Sequence, residues 1–297
     1  MHNIIEEEKN YSYTELISLL LELNESEFLN GKENIINYIK FNSGEPNLAI
    51  RLSNIKYKEN FLKLLRKKEL CEINKNVQGE NKNIVTVGLN LYASHVRLTL
   101  DKEKCILCDV SHTICPKEAI SVKEDIIINN KCIFCGLCVP FCPTGALSIA
   151  RDDKNTPAVI ENKSLPLPFD SESINHIAIK RIFDGTISVD ADKCPEKCEE
   201  CVVACSTAAI KLDNNKIVVN SNDCVLCGAC KVACPKNAII INRNRLLVKD
   251  SISYSASFNV IVEKLLGKNK PNIMHNAESL YKITTLIKDS ELKKYAE

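Results

Sequence analysis

The chain has no tryptophan, and aromatic residues make up only 5% of its 297 positions. Any large core must therefore be mostly aliphatic. Glycine is scarce, nine in all, with no GxGxxG and no P-loop, so phosphate-cradling loops are excluded on motif grounds. There is no HExxH, and the five histidines are dispersed. Neither sign of charge dominates, with 39 basic against 38 acidic residues. That argues against a strongly basic nucleic-acid binder and against a polyacidic tail. No apolar run approaches the 18 residues of a membrane span; the densest, Leu16 to Leu23, is broken by Ser18 and Glu22. The opening stretch has neither the basic nor the apolar region of a signal peptide. These features read as a cytoplasmic chain, in which thiols stay reduced.

What the chain has in excess is cysteine, 16 residues. In a reducing compartment, clustered cysteines point to metal rather than disulfides. Fifteen fall into four groups: 105, 108, 115; then 132, 135, 138, 142; then 194, 198, 201, 205; then 224, 227, 230, 234. The second and fourth read C-x2-C-x2-C-x3-C-P. The third has one extra residue, and Ser206 stands where the proline would be. The first lacks a cysteine, with Ser111 in its place. Three cysteines two residues apart let one tight loop wrap three corners of a cubane cluster, while the fourth points away. The proline after the fourth suits the first position of a short helix. Gly136 and Gly228, just after the second cysteine, allow a left-handed backbone. Asp109 and Glu199 hold those positions in the other two groups, where they place negative charge near a cluster or form solvated surface.

Zinc is the first rival, since C-x2-C pairs build zinc ribbons, but zinc does not call for the middle cysteine of each run. The second is an open-site radical enzyme built on Cys194, Cys198 and Cys201. The residues after Cys205 hold another cluster motif rather than a barrel.

The runs Cys132-Ile-Phe-Cys135-Gly-Leu-Cys138-Val-Pro-Phe-Cys142-Pro143 and Cys224-Val-Leu-Cys227-Gly-Ala-Cys230-Lys-Val-Ala-Cys234-Pro235 resemble the polyferredoxins. These are chains of tandem bacterial-type two-cluster ferredoxin modules, and the resemblance covers about residues 90–250. It implies an α+β fold with two tandem ferredoxin-like two-cluster modules. It also implies that paired motifs exchange their last cysteine. One cluster then takes Cys132, Cys135, Cys138 and Cys115. A second takes Cys224, Cys227, Cys230 and Cys205, and a third takes Cys194, Cys198, Cys201 and Cys234. The first site keeps Cys105, Cys108 and Cys142. Its remaining ligand is Ser111, His112, Asp109 or Cys71 or comes from a partner subunit, or the site holds a three-iron or labile four-iron cluster or is empty; Cys71, outside every motif, otherwise reads as a buried free thiol. Four iron–sulfur clusters are thus expected, three of them 4Fe–4S, with no catalytic residue.

Segments 95–100, 125–129, 186–189 and 216–220 are β-rich, one beside each group, giving a strand–loop–short helix–strand unit used four times. Expected domains are a mainly helical accessory or docking domain over 1–83 and a first module over 84–150. A linker over 151–185, a second module over 186–250 and a partly helical tail over 251–297 follow. Ser12 and Glu15 form a capping box before the first helix. Apolar residues at helical spacing mark 33–41 and 57–70; LAIRL (48–52) reads as a strand, and 74–83 as a polar linker. The N-terminal domain is read either as a docking module or as a domain packed on the first ferredoxin module. The local positive excess after 236 suits peripheral association with a membrane complex, or a solvated face.

The resemblance implies electron transfer between redox protein partners, without nucleic acid. In polyferredoxins of anaerobic methanogens these are subunits of hydrogenases, with formylmethanofuran dehydrogenase the alternative. A redox or oxygen sensor using the incomplete first site is the reading of another class.

Overall fold

The structure is a computed structural model describing residues 5, 10–78, 84–87, 96–123, 125–132, 134–151, 154–157, 169–247 and 263–267. The chain opens with four helices: α1 (Tyr13–Glu22), α2 (Glu25–Phe41), α3 (Pro46–Ser53) and α4 (Lys58–Gln78). The capping box read in the sequence is present: Ser12 accepts from the Glu15 N–H, and Glu15 accepts from Ser12. A second box, Asn24 with Glu27, starts α2. Two of the sequence expectations are corrected. LAIRL lies in α3, because Pro46 starts a helix whose Leu48, Ala49 and Leu52 fall on one buried face. The stretch read as linker from 74 continues α4 to Gln78.

The helices enclose Leu16, Leu20, Phe28, Ile35, Ile39, Leu52, Phe61 and Leu65, with Phe28 and Phe61 edge to face at 5.2 Å. The same core continues without a break into Val202, Val203, Ile210 and Ile239. The apolar core of the N-terminal helices is therefore continuous with the second half of the molecule, while Lys67 of α4 faces Cys105 and Asp125 of the first.

The rest is small antiparallel sheets joined by cysteine loops. β1 (Ile84–Val87), β2 (Val96–Asp101), β5 (Leu147–Arg151) and β6 (Lys154–Pro157) form one sheet in the order β1-β2-β5-β6. Between β2 and β5 come α5 (Val110–Ile114) and the hairpin β3 (Ile120–Val122) with β4 (Ile126–Ile128). The second half repeats the plan. β9 (Phe183–Val189) pairs with β12 (Ile239–Leu246), enclosing α6 (Glu200–Ala204), the hairpin β10 (Ile210–Asp213) with β11 (Lys216–Val219), and α7 (Ala229–Ala233). Inward alternation holds the registers: Leu98 opposes Ile149, and Leu100 opposes Leu147. Within the stretch read as a joint, β7 (Ser171–Ile174) and β8 (Ile177–Lys180) form a hairpin.

The repeated unit differs from expectation in one respect. Each short helix lies before the last cysteine of its group, and Pro116, Pro143 and Pro235 begin turns rather than helices. The second group has turns where the others have a helix, since Pro140 there lacks the N–H a helix would use. Of the tail, residues 263–266 are helical and Leu265 packs into the first-half core. The charged end of the tail lies outside the described residues. Among the described residues, no helix is long and apolar enough to cross a membrane.

Candidate metal centres

The cysteine loops owe their shape to a repeated backbone pattern. Leu107, Phe134, Lys197 and Leu226, each directly before the second cysteine of its group, have φ between 53° and 59°. A second left-handed residue comes three after each last cysteine: Glu118, Gly145, Ala208 and Asn237. A non-glycine residue in this region costs of order 1 kcal/mol, so the loops are held there by their surroundings. The expected left-handed Gly136 and Gly228 are found, at 71° and 89°. Asp109 and Glu199 are not left-handed, with φ of −83° and −125°.

The curled loops turn backbone N–H groups toward sulfur. Leu107, Phe134 and Leu226 donate to Cys105, Cys132 and Cys224. Ala119, Ala146 and Ala238 donate to Sγ of Cys115, Cys142 and Cys234, each at 3.2 Å. Donors of this kind favour charged sulfur and set the potential of a sulfur-held cluster.

Three cavities collect the sulfurs. One is lined by Cys115, Cys132, Cys135 and Cys138, among Leu98, Ile120, Phe134 and Leu137. Another is lined by Cys205, Cys224, Cys227 and Cys230, beside Ile187 and Ile241. A third is lined by Cys105, Cys108 and Cys142, with the hydroxyls of Ser111 and Thr144 among them and Leu100, Ile126 and Leu147 around it. Cys194, Cys198, Cys201 and Cys234 form the fourth group as mutual electrostatic neighbours. Three of the sets that ligand exchange implies thus line cavities, and the sulfurs of the fourth lie within electrostatic reach of one another.

The donor set is suited to a cationic inorganic core. Burial pushes the Cys135, Cys201 and Cys227 thiols up to about 12, and neighbouring sulfurs add to the rise. Cys108, Cys138 and Cys230 are raised as well, again first by burial. Four thiolates cannot share such a cavity alone, and positive metal is what offsets their charge. The sulfurs of three sets stand around cavities, an arrangement that ligands at the corners of a cluster would have.

The candidates for the remaining position at the first site separate clearly. Ser111 is buried and lines the cavity. His112 is exposed, and its Nδ1 lies 2.6 Å from the Ile120 carbonyl. Asp109 is ion-paired with Arg243 at 2.6 Å. Cys71 lies on α4, and its side chain is outside the described residues.

Other residues at these loops carry no sequence motif. Buried Glu199 accepts from the N–H groups of Lys56 and Tyr57 at 2.6 and 3.1 Å, and from the Asn60 amide at 3.1 Å. It therefore ties the start of α4 to the third cysteine loop, and is neither surface nor a free charge. Lys63 adds an ion pair to Glu200. Asn47, Arg51 and Asn54, on one face of α3 and its end, donate to the carbonyls of Ser206, Val203 and Ala208 at 2.8–3.0 Å. They strap the turn that carries Cys205. Burial lowers the affinity of Arg51 for its proton, and the Cys205 thiolate opposes that shift. Its Nε is buried without a hydrogen-bond partner among the described residues. Arg181 braces the fourth loop through the carbonyls of Cys224 and Asn222 at 2.6 and 2.5 Å. Lys264 reaches the Cys115 carbonyl at 3.2 Å. The sequence held no signal for these contacts beyond the polar character of each residue.

Comparison with known proteins agrees with the cysteine pattern. The 4Fe-4S binding domain family matches twice, at residues 125–148 and 217–240, the stretches that carry the second and fourth groups. The chain thus contains two ferredoxin-type 4Fe–4S domains. No curated protein matches it. Among solved structures it is similar to a chain of the formate dehydrogenase–heterodisulfide reductase–formylmethanofuran dehydrogenase complex from Methanospirillum hungatei. The identity is 21%, over 58% of this chain and 84% of that one, with a TM-score of 0.45.

Proposed function

We propose that this chain is a polyferredoxin that binds four iron–sulfur clusters in two modules, about 84–150 and 186–250, and relays single electrons between redox protein partners. The matched 4Fe–4S domains indicate iron–sulfur electron transfer. The observation that carries the fuller reading is the convergence of Cys115 with Cys132, Cys135 and Cys138, and of Cys205 with Cys224, Cys227 and Cys230. In each case the last cysteine of one group completes the site of its partner group.

When bound, each cluster accepts or donates one electron without bond-making at the protein. The chain's own residues supply the rest. Fifteen cysteines are the ligands. Backbone N–H groups such as those of Ala119, Ala146 and Ala238 bond the sulfurs. Apolar side chains from β2, β5 and the hairpins exclude water. At the first site buried Ser111, which lines the cavity, would serve as a ligand or as the wall of a three-iron cluster.

We read the chain as an electron-transfer subunit rather than an enzyme. The resemblance to methanogen polyferredoxins points to a hydrogenase-type complex as partner, with formylmethanofuran dehydrogenase the alternative. The test is anaerobic purification with pull-down of native partners, followed by partner-driven reduction of the purified chain. Co-purification of an oxidoreductase that reduces the clusters supports the reading. A fully loaded chain that no co-purified oxidoreductase reduces or oxidises would overturn it.

A further inference from the structure

A buried ion pair lies where the two halves meet, beside the apolar core that Phe183 and Leu226 share with the first half. Arg243, on β12, is only 6% exposed and lies 2.6 Å from Asp109, which is 18% exposed and sits in the first cysteine loop. Arg243 also donates through Nε and Nη2 to the Leu226 carbonyl at 3.0 and 2.8 Å, and its guanidinium lies over the Phe183 ring at 4.2 Å. Nε and Nη2 both have acceptors, and the charge has the Asp109 carboxylate, as a buried guanidinium requires.

The pair sits where two cysteine loops touch. The Asp109 N–H points to the Cys227 carbonyl at 3.4 Å. The Asp109 carboxylate rests directly on Gly228, where a Cβ would come within 2.5 Å of it. Gly228 is thus required twice, for its left-handed backbone and for this approach. On the other side, Gly185 lets β9 close on β12, since a Cβ there would strike the Asn242 carbonyl at 2.0 Å. The strand pairing shifts register between Arg243 and Arg245, and such bulges re-aim a side chain. A buried ion pair is weak evidence for stability, and its best-attested use is fixing register.

We propose that Asp109 and Arg243 form a latch that holds the incomplete first site against the Cys227 site, so that the four sites make one linear series. Its order is the Cys115/Cys132/Cys135/Cys138 site, the Cys105/Cys108/Cys142 site, the Cys205/Cys224/Cys227/Cys230 site, then the Cys194/Cys198/Cys201/Cys234 site. Within each half, the neighbouring sites share one continuous loop: Cys138 and Cys142 in the first, Cys230 and Cys234 in the second. The step between halves depends on the latch. This rests on the relay reading above and adds that the incomplete site is an internal link rather than a terminal one. Asp109 and Arg243 are positioning residues, since neither belongs to a cysteine set.

The test uses the full chain, prepared without oxygen and reduced, with EPR reading magnetic coupling between neighbouring clusters. The wild type is expected to show signals from the two modules coupled to each other. Arg243→Gln and Asp109→Asn are expected to keep iron, sulfide and the coupling within each module, and to lose the coupling between modules. Arg243→Lys, which keeps the charge, is expected to retain part of it. A wild-type spectrum made of two independent pairs would overturn the latch, whatever the variants do. So would an Arg243→Gln spectrum identical to that of the wild type. A chain that carries no clusters would instead overturn the relay reading itself.

Discussion

At the scale of residues, Ser111 and Arg51 make separate claims. Ser111 lines the cavity of Cys105, Cys108 and Cys142, at the position where the intact groups have cysteine. Ser111→Cys is expected to create a conventional 4Fe–4S site there, changing the EPR spectrum of one cluster and leaving the other three alone. Unchanged iron content together with an unchanged spectrum would contradict it. Arg51 brings a buried positive charge to the turn that carries Cys205. Such a charge stabilises the reduced, more negative state. Arg51→Met is therefore expected to lower the potential of one cluster, by on the order of 60 mV if the interaction is worth about 1.4 kcal/mol. Arg51→Lys should keep most of the potential. Potentials that stay equal in all three proteins would leave Arg51 a purely structural strap. The grouping of the fifteen cysteines was legible because their spacing is written in consecutive residues. Arg51 and Arg243 were not, because their partners Val203 and Asp109 lie 152 and 134 positions away.

At the scale of elements, the buried carboxylate of Glu199 joins the start of α4 to the third cysteine loop. Glu199 takes three donors that nothing else satisfies in their place. Glu199→Ala should leave two backbone N–H groups and one amide without partners, at a cost of about 3 kcal/mol. Denaturant unfolding at equal iron content measures it; a loss below about 0.5 kcal/mol, the size of a neutral surface change, would contradict the assignment. The β-rich segments beside each cysteine group were legible from their runs of Ile and Val, and all became strands. LAIRL was misread because a short apolar run suits either structure, and only burial of Leu48, Ala49 and Leu52 against neighbouring helices decides it. The short helices were placed one step late. Proline after the last cysteine signals a turn here, since the helix already ends with that cysteine as its cap.

At the scale of the whole molecule, the halves repeat one plan, and each is too small to hold itself together by apolar burial alone. Cluster ligation then supplies folding energy directly. Stripping iron with a chelator is expected to collapse the small sheets, while the helical signal of α1 to α4 persists, since their core is aliphatic and aromatic. Far-UV circular dichroism before and after chelation reads this, and an unchanged spectrum would contradict it. The repeat was visible in the sequence, but the attachment of the N-terminal helices to the second half was not. That contact is an apolar core shared with Val202 and Val203, fixed by Asn47, Asn54, Lys63 and Glu199, whose polar partners carry no sequence pattern.

The most direct measurement is iron and acid-labile sulfide per chain after preparation without oxygen. Four cluster sites require about fifteen or sixteen irons with about sixteen sulfides. A chain free of inorganic sulfide, or one holding zinc in whole-number ratio, would contradict the account.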